Sequence, residues 1–292
     1  MQISSKYVGV KCRPIDVEIT PKQCMYYAAA TGDGNPAYLD DTRPEGIMAP
    51  PMLAISLTWR ISARVAEFWG DSDFPVDVLA RQVHFSEALH WLKPMRPGDR
   101  LHIEGVVAAI LPHRAGTHLI LEYTARDPGG DTVFVERIGG ILRGVKCTDE
   151  GRGEDTVPVH TPPKDAQPLW SRTLPISPLA SYIYDGLADV HFPIHISPAF
   201  AQMVGLPGII FHGTGTLALA VREIIALEAD NDPSRVLNAR CRFTGMVMPG
   251  TDITVELLDR EAQERGTACH FIVRNSAGKA ALSDGCVTVA AP

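Results

Sequence analysis

What the chain lacks narrows its class. Its six cysteines, at positions 12, 24, 147, 241, 269 and 286, are spread over 292 residues and no two form a C-x-x-C pair. Neither a zinc ribbon nor a dithiol redox motif is therefore expected. No apolar run reaches the roughly 18 residues that a membrane-spanning helix needs. The opening residues, Met1-Gln2-Ile3-Ser4-Ser5-Lys6-Tyr7, have no apolar core of the kind a signal peptide requires. There is no long basic run, and the formal net charge is −7. Nucleic-acid phosphates call for clustered Lys and Arg, so a nucleic-acid partner is not expected. Mild acidity still permits an anionic ligand, because local groups decide binding. A cytoplasmic location with free thiols follows as the expectation.

What is present is a globular composition, 45% apolar and 21% charged. The length suits about two domains. The stretch from Thr148 to Gln167 is polar, contains Gly and Pro, and has neither helical nor strand period. It marks a linker at 148–168 between an N-terminal unit, 1–147, and a C-terminal unit, 169–292. The two units repeat one plan. A helical stretch, Met25–Ala30 or Leu179–Tyr184, leads into a turn. That turn is Thr31-Gly32-Asp33-Gly34-Asn35-Pro36-Ala37-Tyr38 in the first unit and Asp185 to His195 in the second. A Pro- and Gly-containing approach then enters a long apolar helix, LAISLTWRISARVAEF or TGTLALAVREIIALEA. In the second helix Leu217, Ala220, Val221 and Ile224 recur at i, i+3, i+4 and i+7, one buried stripe. Alternating strands close each unit, with Pro97-Gly98 and Pro249-Gly250 as matched turns. A helix followed by an antiparallel meander, used twice, gives an α+β fold in which each sheet buries one face on its helix.

The turns carry the chemistry. The first unit has Thr31-Gly32-Asp33-Gly34-Asn35-Pro36-Ala37-Tyr38, and the second has Asp189-Val190-His191-Phe192-Pro193-Ile194-His195. Ala199-Phe200-Ala201 and Gly205-Leu206-Pro207-Gly208-Ile209-Ile210-Phe211-His212-Gly213 follow. These segments resemble the signature of the MaoC-like dehydratases, the type-2 (R-specific) enoyl-CoA hydratases: S-G-D-x-N-P-x-H, then A, then G-x-x-x-P-I-x-H-G. The resemblance spans nearly the whole chain. It implies a double hotdog, with a non-catalytic first copy, where Tyr38 stands in place of the histidine, and a catalytic second copy. The family spacing from Asp to His is five residues, whereas Asp189 to His195 is six and the family Asn is missing. An inserted residue in the turn is thus expected, with Asp189 and His195 still converging on one water.

The implied reaction is reversible hydration of a 2-enoyl-CoA to a 3-hydroxyacyl-CoA. The altered turn points to a branched, aromatic or carboxylated acyl group of mesaconyl or itaconyl type. A carboxylate and an imidazole can together hold a water and move its protons; Asp189 and His195 take those roles. The amide of Gly213, at a helix start, suits the developing enolate oxygen, and the resemblance implies the same. His191, Tyr184, His212 and Thr214 are candidate substrate contacts, each with a packing or capping role as the alternative. His84, His90, His102, His113, His118, His160 and His270 read as structural. Zinc on His191, His195 and His212 is disfavoured because Pro193 breaks any helix there. No metal or redox cofactor is expected, CoA entering as part of the substrate. A further homodimer is allowed but not required. Two rivals remain open: an acyl-CoA thioesterase, and a non-catalytic acyl-CoA-binding subunit of a hydratase complex.

Overall fold

The computed structural model describes residues 1–70, 72–155, 157–161 and 167–292. In chain order the strands are β1 (Gln2–Ile3), β2 (Lys11–Glu18), β3 (Gln82–Trp91), β4 (Arg100–His113), β5 (Gly116–Arg126), β6 (Thr132–Arg143) and β7 (Lys146–Cys147), then β8 (Trp170–Pro175), β9 (Val236–Phe243), β10 (Asp252–Gln263), β11 (Gly266–Asn275) and β12 (Ala280–Ala290). The α-helices are α1 (Pro21–Ala30), α2 (Pro36–Leu39), α3 (Leu53–Ser62), α4 (Val65–Phe68), α5 (Ala180–Leu187), α6 (Pro198–Met203) and α7 (Gly213–Glu228).

Ten strands form one sheet in the order β2-β4-β5-β6-β3-β9-β12-β11-β10-β8. Read from either edge the order is the same, so the duplication seen in the sequence becomes an approximate two-fold between β3 and β9. The two sheets fuse there by antiparallel pairing from Ser86–Arg242 to His90–Asn238. β1 and β7 form a separate parallel pair.

The apolar faces dictate the layering. The stripe read on α7 is buried, with Leu217, Ala220, Val221 and Ile224 all 1% exposed or less, and the helix lies on β9, β11 and β12. α3 lies on β6, and α1 packs against α5. The stretch expected as one N-terminal helix is two. At Arg64 the amide bonds back only three residues, to Ile61, and the backbone leaves the helical region (φ −138°, ψ 34°). This tightening lets Val65 bury. One hydrophobic cluster runs through both halves, from Ile3 to Val289.

Described residues after β7 are tied to the sheet, while residues 156 and 162–166 of the expected linker lie outside the described residues. Asp155 pairs with Arg242 at 2.7 Å, and the His160 amide donates to Asp284 at 3.0 Å. All six cysteines are free thiols. No helix among the described residues is long and apolar enough to cross a membrane.

Because the halves share a core, Ile224→Ala should cost about 2–5 kcal/mol, the usual penalty for emptying a fully buried site. Denaturant unfolding followed by fluorescence and by circular dichroism should show one coincident transition moved to lower denaturant. Two separated transitions would contradict a shared core.

Candidate active site

The site is built on the turn that follows α5. The equivalent turn after α1 shows what the local chain must do. There Thr31 is the C-cap and Gly32 follows in the left-handed region at φ +60°. After α5, Ala188 is the C-cap and Asp189 follows at φ +56°. Asp189 therefore stands in the place of Gly32, where a helix end needs a residue that tolerates positive φ. Val190 takes the place of Asp33, Phe192 that of Asn35, Pro193 that of Pro36 and His195 that of Tyr38. The turns are equally long, so the expected insertion does not exist. The apparent extra residue arose from equating Asp189 with Asp33.

Each turn is held by the long helix of the other half. Ser56 of α3 donates its hydroxyl to the Ala188 carbonyl. Arg222 of α7 donates to the equivalent Thr31 carbonyl at 2.6 Å. The Trp59 indole also donates to the His191 carbonyl at 3.1 Å.

Four side chains meet beside this turn. Asp185, in the last turn of α5, is buried; its Oδ2 accepts from His191 Nδ1–H at 2.6 Å and its Oδ1 accepts from the Phe192 amide at 3.3 Å. Oδ1 also lies 3.5 Å from His212 Nε2. His212 is 1% exposed and its Nε2–H donates to the Val190 carbonyl at 3.0 Å. A carbonyl can only accept, so the His212 tautomer is fixed, and its buried Nδ1 is left without a partner. The His195 ring stacks on His212 with centroids 3.7 Å apart. His195 Nδ1–H donates to the Ile210 carbonyl at 2.8 Å, which also accepts the Ser181 hydroxyl at 3.1 Å. The Nε2 lone pair of His195 is thereby left for chemistry.

Burial dominates the electrostatics. It holds His195 down at about 4, opposed by the Ile210 bond and by the charge of Asp185. It holds His212 down at about 2, helped by the neighbouring His195. Both rings are neutral at pH 7, as the close stack requires.

α7 begins immediately after His212. No side chain caps it, so its first amides have no partner within the helix and point out of its positive end. Gly213 is required here: a Cβ would come within 2.8 Å of the Phe243 ring.

His191, His195, His212 and Gly213 are thus brought together. Asp189 is not part of the cluster: it is exposed and makes no side-chain hydrogen bond or ion pair among the described residues. The carboxylate that meets the histidines is Asp185, assigned by sequence reasoning to the start of a loop. The helix runs three residues further, to Leu187, and that places Asp185 one turn before the C-cap. Tyr184 is fully buried; its hydroxyl bonds that of Tyr27 at 3.0 Å, and its ring packs on His212 at 4.9 Å. Thr214 is buried beside it. Both therefore support the site from beneath. Arg242 of β9 is held by Asp155 and Asp284. Among the described residues no group of three or more His, Cys, Asp or Glu is arranged to hold a metal ion.

In the first copy the same positions do structural work. Asn35 Oδ1 caps α2 by accepting from the Ala37 amide at 2.9 Å, and Asn35 Nδ2 donates to the Asn231 carbonyl at 2.9 Å. Asp33 accepts from the Asn35 amide, and the Tyr38 ring is buried.

Comparison with known families agrees with this architecture. Residues 158–280 match the MaoC like domain, and residues 6–127 match the FAS1-like dehydratase domain region. The second half thus carries a MaoC like domain and the first a FAS1-like dehydratase region, and the fold is that of two hotdog units in one polypeptide. A probable enoyl-CoA hydratase 2 of Dictyostelium discoideum is 25% identical over 255 residues, covering 86% of this chain and 85% of that protein. Enoyl-CoA hydratase ChsH3 of Mycobacterium tuberculosis is 25% identical over 262 residues, covering 86% and 87%. The crystal structure of a MaoC-like dehydratase from Phytophthora capsici superposes with a TM-score of 0.85 at 20% identity, over 98% of both chains.

The equivalence of Asp189 and Gly32 has a direct test in stability. Asp189→Gly should leave the melting temperature unchanged or raise it, since glycine adopts positive φ freely. Gly32→Ala should destabilise by about 1 kcal/mol, the cost of a Cβ in the left-handed region. A marked loss of stability in Asp189→Gly would contradict the assignment.

Proposed function

We propose that the chain catalyses the reversible addition of water to a 2-enoyl-CoA, giving a 3-hydroxyacyl-CoA, and that the second copy carries the reaction. The observation that carries this reading is the neutral His195, with its Nε2 free, beside the Asp185–His191 pair and the start of α7. The family and the hydratases similar to this chain support it.

In the hydration direction, water attacks the β-carbon while His195 Nε2 takes one of its protons. Negative charge develops on the thioester oxygen. The Gly213 amide, at the positive end of α7 and with no Cβ to obstruct approach, stabilises that charge. The α-carbon then receives a proton from the His195 imidazolium, so that the elements of one water are added and the imidazole is restored. Asp185 fixes the His191 tautomer, with the proton on Nδ1 and the Nε2 lone pair available to hold the water. His212 keeps the His195 ring flat against it. Asp189 acts as the helix-end residue, while Asp185 supplies the carboxylate.

The finer reading concerns the acyl group. The His191 side chain is 64% exposed yet anchored by Asp185, which favours an acyl group carrying a polar or carboxylate substituent, as in mesaconyl or itaconyl thioesters. Hydration of crotonyl-CoA as efficiently as such analogues would defeat this part.

The test follows loss of enoyl absorbance in wild type and variants. His195→Gln and Asp185→Asn should each lower kcat about 10²–10⁴-fold, the usual contribution of a positioned proton-transfer group, with folding intact. Asp189→Asn should stay within a few-fold of wild type. Equal losses in Asp185→Asn and Asp189→Asn would overturn the assignment, and thiol release without loss of the enoyl group would indicate a thioesterase.

The pH dependence has a definite sign. A base with its value lowered to about 4 stays neutral well below the ordinary histidine value. The acid limb of kcat/KM should therefore fall near pH 4. A limb near 6.5 would mean that another group is the base.

A further inference from the structure

Two carboxyl side chains lie in the middle of the molecule, on the helix-facing side of the seam. Glu87 of β3 is 0% exposed and Glu136 of β6 is 1% exposed. Among the described residues neither meets a lysine or arginine, and both Glu87 oxygens and Oε2 of Glu136 lack a hydrogen-bond partner. Buried carboxyl groups without hydrogen-bond partners are costly and call for a purpose.

The backbone shows what they serve. β3 carries a bulge: His84 pairs with Gly140, and the next paired residue, Ser86, pairs with Gly139. In a regular strand His84 and Glu87, three apart, would face opposite sides of the sheet. The extra residue turns both toward the helices, as bulges do where a side chain must be re-aimed. His84 Nε2 then stands 3.2 Å from the Ser86 carbonyl, to which its N–H donates, and also 3.2 Å from Glu87 Oε2. The His84 ring packs on Phe243 of β9 with centroids 4.3 Å apart. Phe243 is the ring that closes over Gly213. A continuous path thus runs from the carboxyl pair in the N-terminal half to the start of α7 in the other half.

Resting on the hydratase reading above, we propose that His84, Glu87 and Glu136 are positioning residues of the active site supplied across the seam. In this arrangement burial keeps both carboxyls protonated, and the neutral Glu87 leaves the His84 N–H to Ser86. His84 in turn sets Phe243 against Gly213. Ionising Glu87 would make its Oε2 the stronger acceptor for the same N–H, draw the ring off Phe243 and loosen the Gly213 amide. The groups around the pair do not offset such a charge. They are Tyr27 of α1, Tyr123 of β5, Tyr184 of α5 and Cys241 of β9, all pushed up by burial and neutral, together with the hydroxyl of Thr58 on α3. Burial pushes Glu87 up to about 8 and raises Glu136 as well. His84 is held down at about 4, so it stays neutral across this range.

Two measurements test this on the full chain. The first is the pH profile of kcat. Wild type should lose activity above about pH 8. Glu87→Gln, neutral at every pH, and His84→Phe, which keeps the ring on Phe243 without the N–H, should both lack that alkaline limb. A limb of unchanged position in both variants would overturn the proposal, since packing alone would not remove it. The second is infrared titration without substrate. A protonated-carboxyl carbonyl band should be present at pH 7, lose the Glu87 part of its intensity with a midpoint near 8, and weaken in Glu87→Gln and in Glu136→Gln. Its absence from wild type at pH 7 would overturn the proposal even if hydration is confirmed. If no enoyl thioester is hydrated, the functional reading fails while the infrared titration still decides the state of the pair.

Discussion

The antiparallel pairing of β3 with β9 is the constraint on which the rest depends. It fuses two five-stranded sheets into one and so removes two edges that would otherwise lie open to pairing with other chains. It also fixes where each long helix lies relative to the other half's turn. α3 reaches the carbonyl that ends α5, and α7 reaches the carbonyl that ends α1. Neither turn is held only by its own copy. That mutual support lets the turn after α5 depart from the regular pattern, with an aspartate in a left-handed conformation and a valine where the first copy has a carboxylate.

The same arrangement creates the electrostatics of the site. Two imidazoles stacked at 3.7 Å cannot both be charged, and burial keeps both neutral. The backbone carbonyls of Val190 and Ile210 choose the tautomers. His212 is thus a fixed spacer, and His195 keeps the lone pair of its Nε2 free. The carboxylate sits one step away, against the exposed His191, where it orients a ring without displacing the stack. The positive end of α7 completes the constellation without a charged side chain. In the first copy the same backbone carries a buried tyrosine and an asparagine cap, so identical scaffolding yields a packing element.

How much was legible in the sequence can be judged residue by residue. The stripe on α7, the matched Pro-Gly turns and the repeated strand sets specified the duplicated α+β plan, because burial periodicity is a local property of the chain. The turn histidines and Gly213 were candidates by residue type and spacing, and the fold brings them together. The role of Asp189 was misjudged because sequence counting cannot see φ; the value of +56° aligns it with Gly32 rather than Asp33. Asp185 was overlooked for a related reason. Helix ends are weakly marked in sequence, and three further residues of α5 were enough to turn a loop aspartate into the carboxylate of the site. His84 gave no sign of its position, because a bulge is not written in the alternation of the strand.

The sequence by itself determined the class of fold, the duplication and the turn on which the proposed chemistry rests. These follow from apolar periodicity and from residue types with few alternative uses. Only the tertiary structure decided which carboxylate faces the imidazoles, which tautomers those imidazoles hold, and that the N-terminal half reaches across the seam toward Gly213. Each of these depends on contacts between residues far apart in the chain: Ser56 with Ala188, His195 with Ile210, and His84 with Phe243. Such contacts exist only once the two sheets have joined.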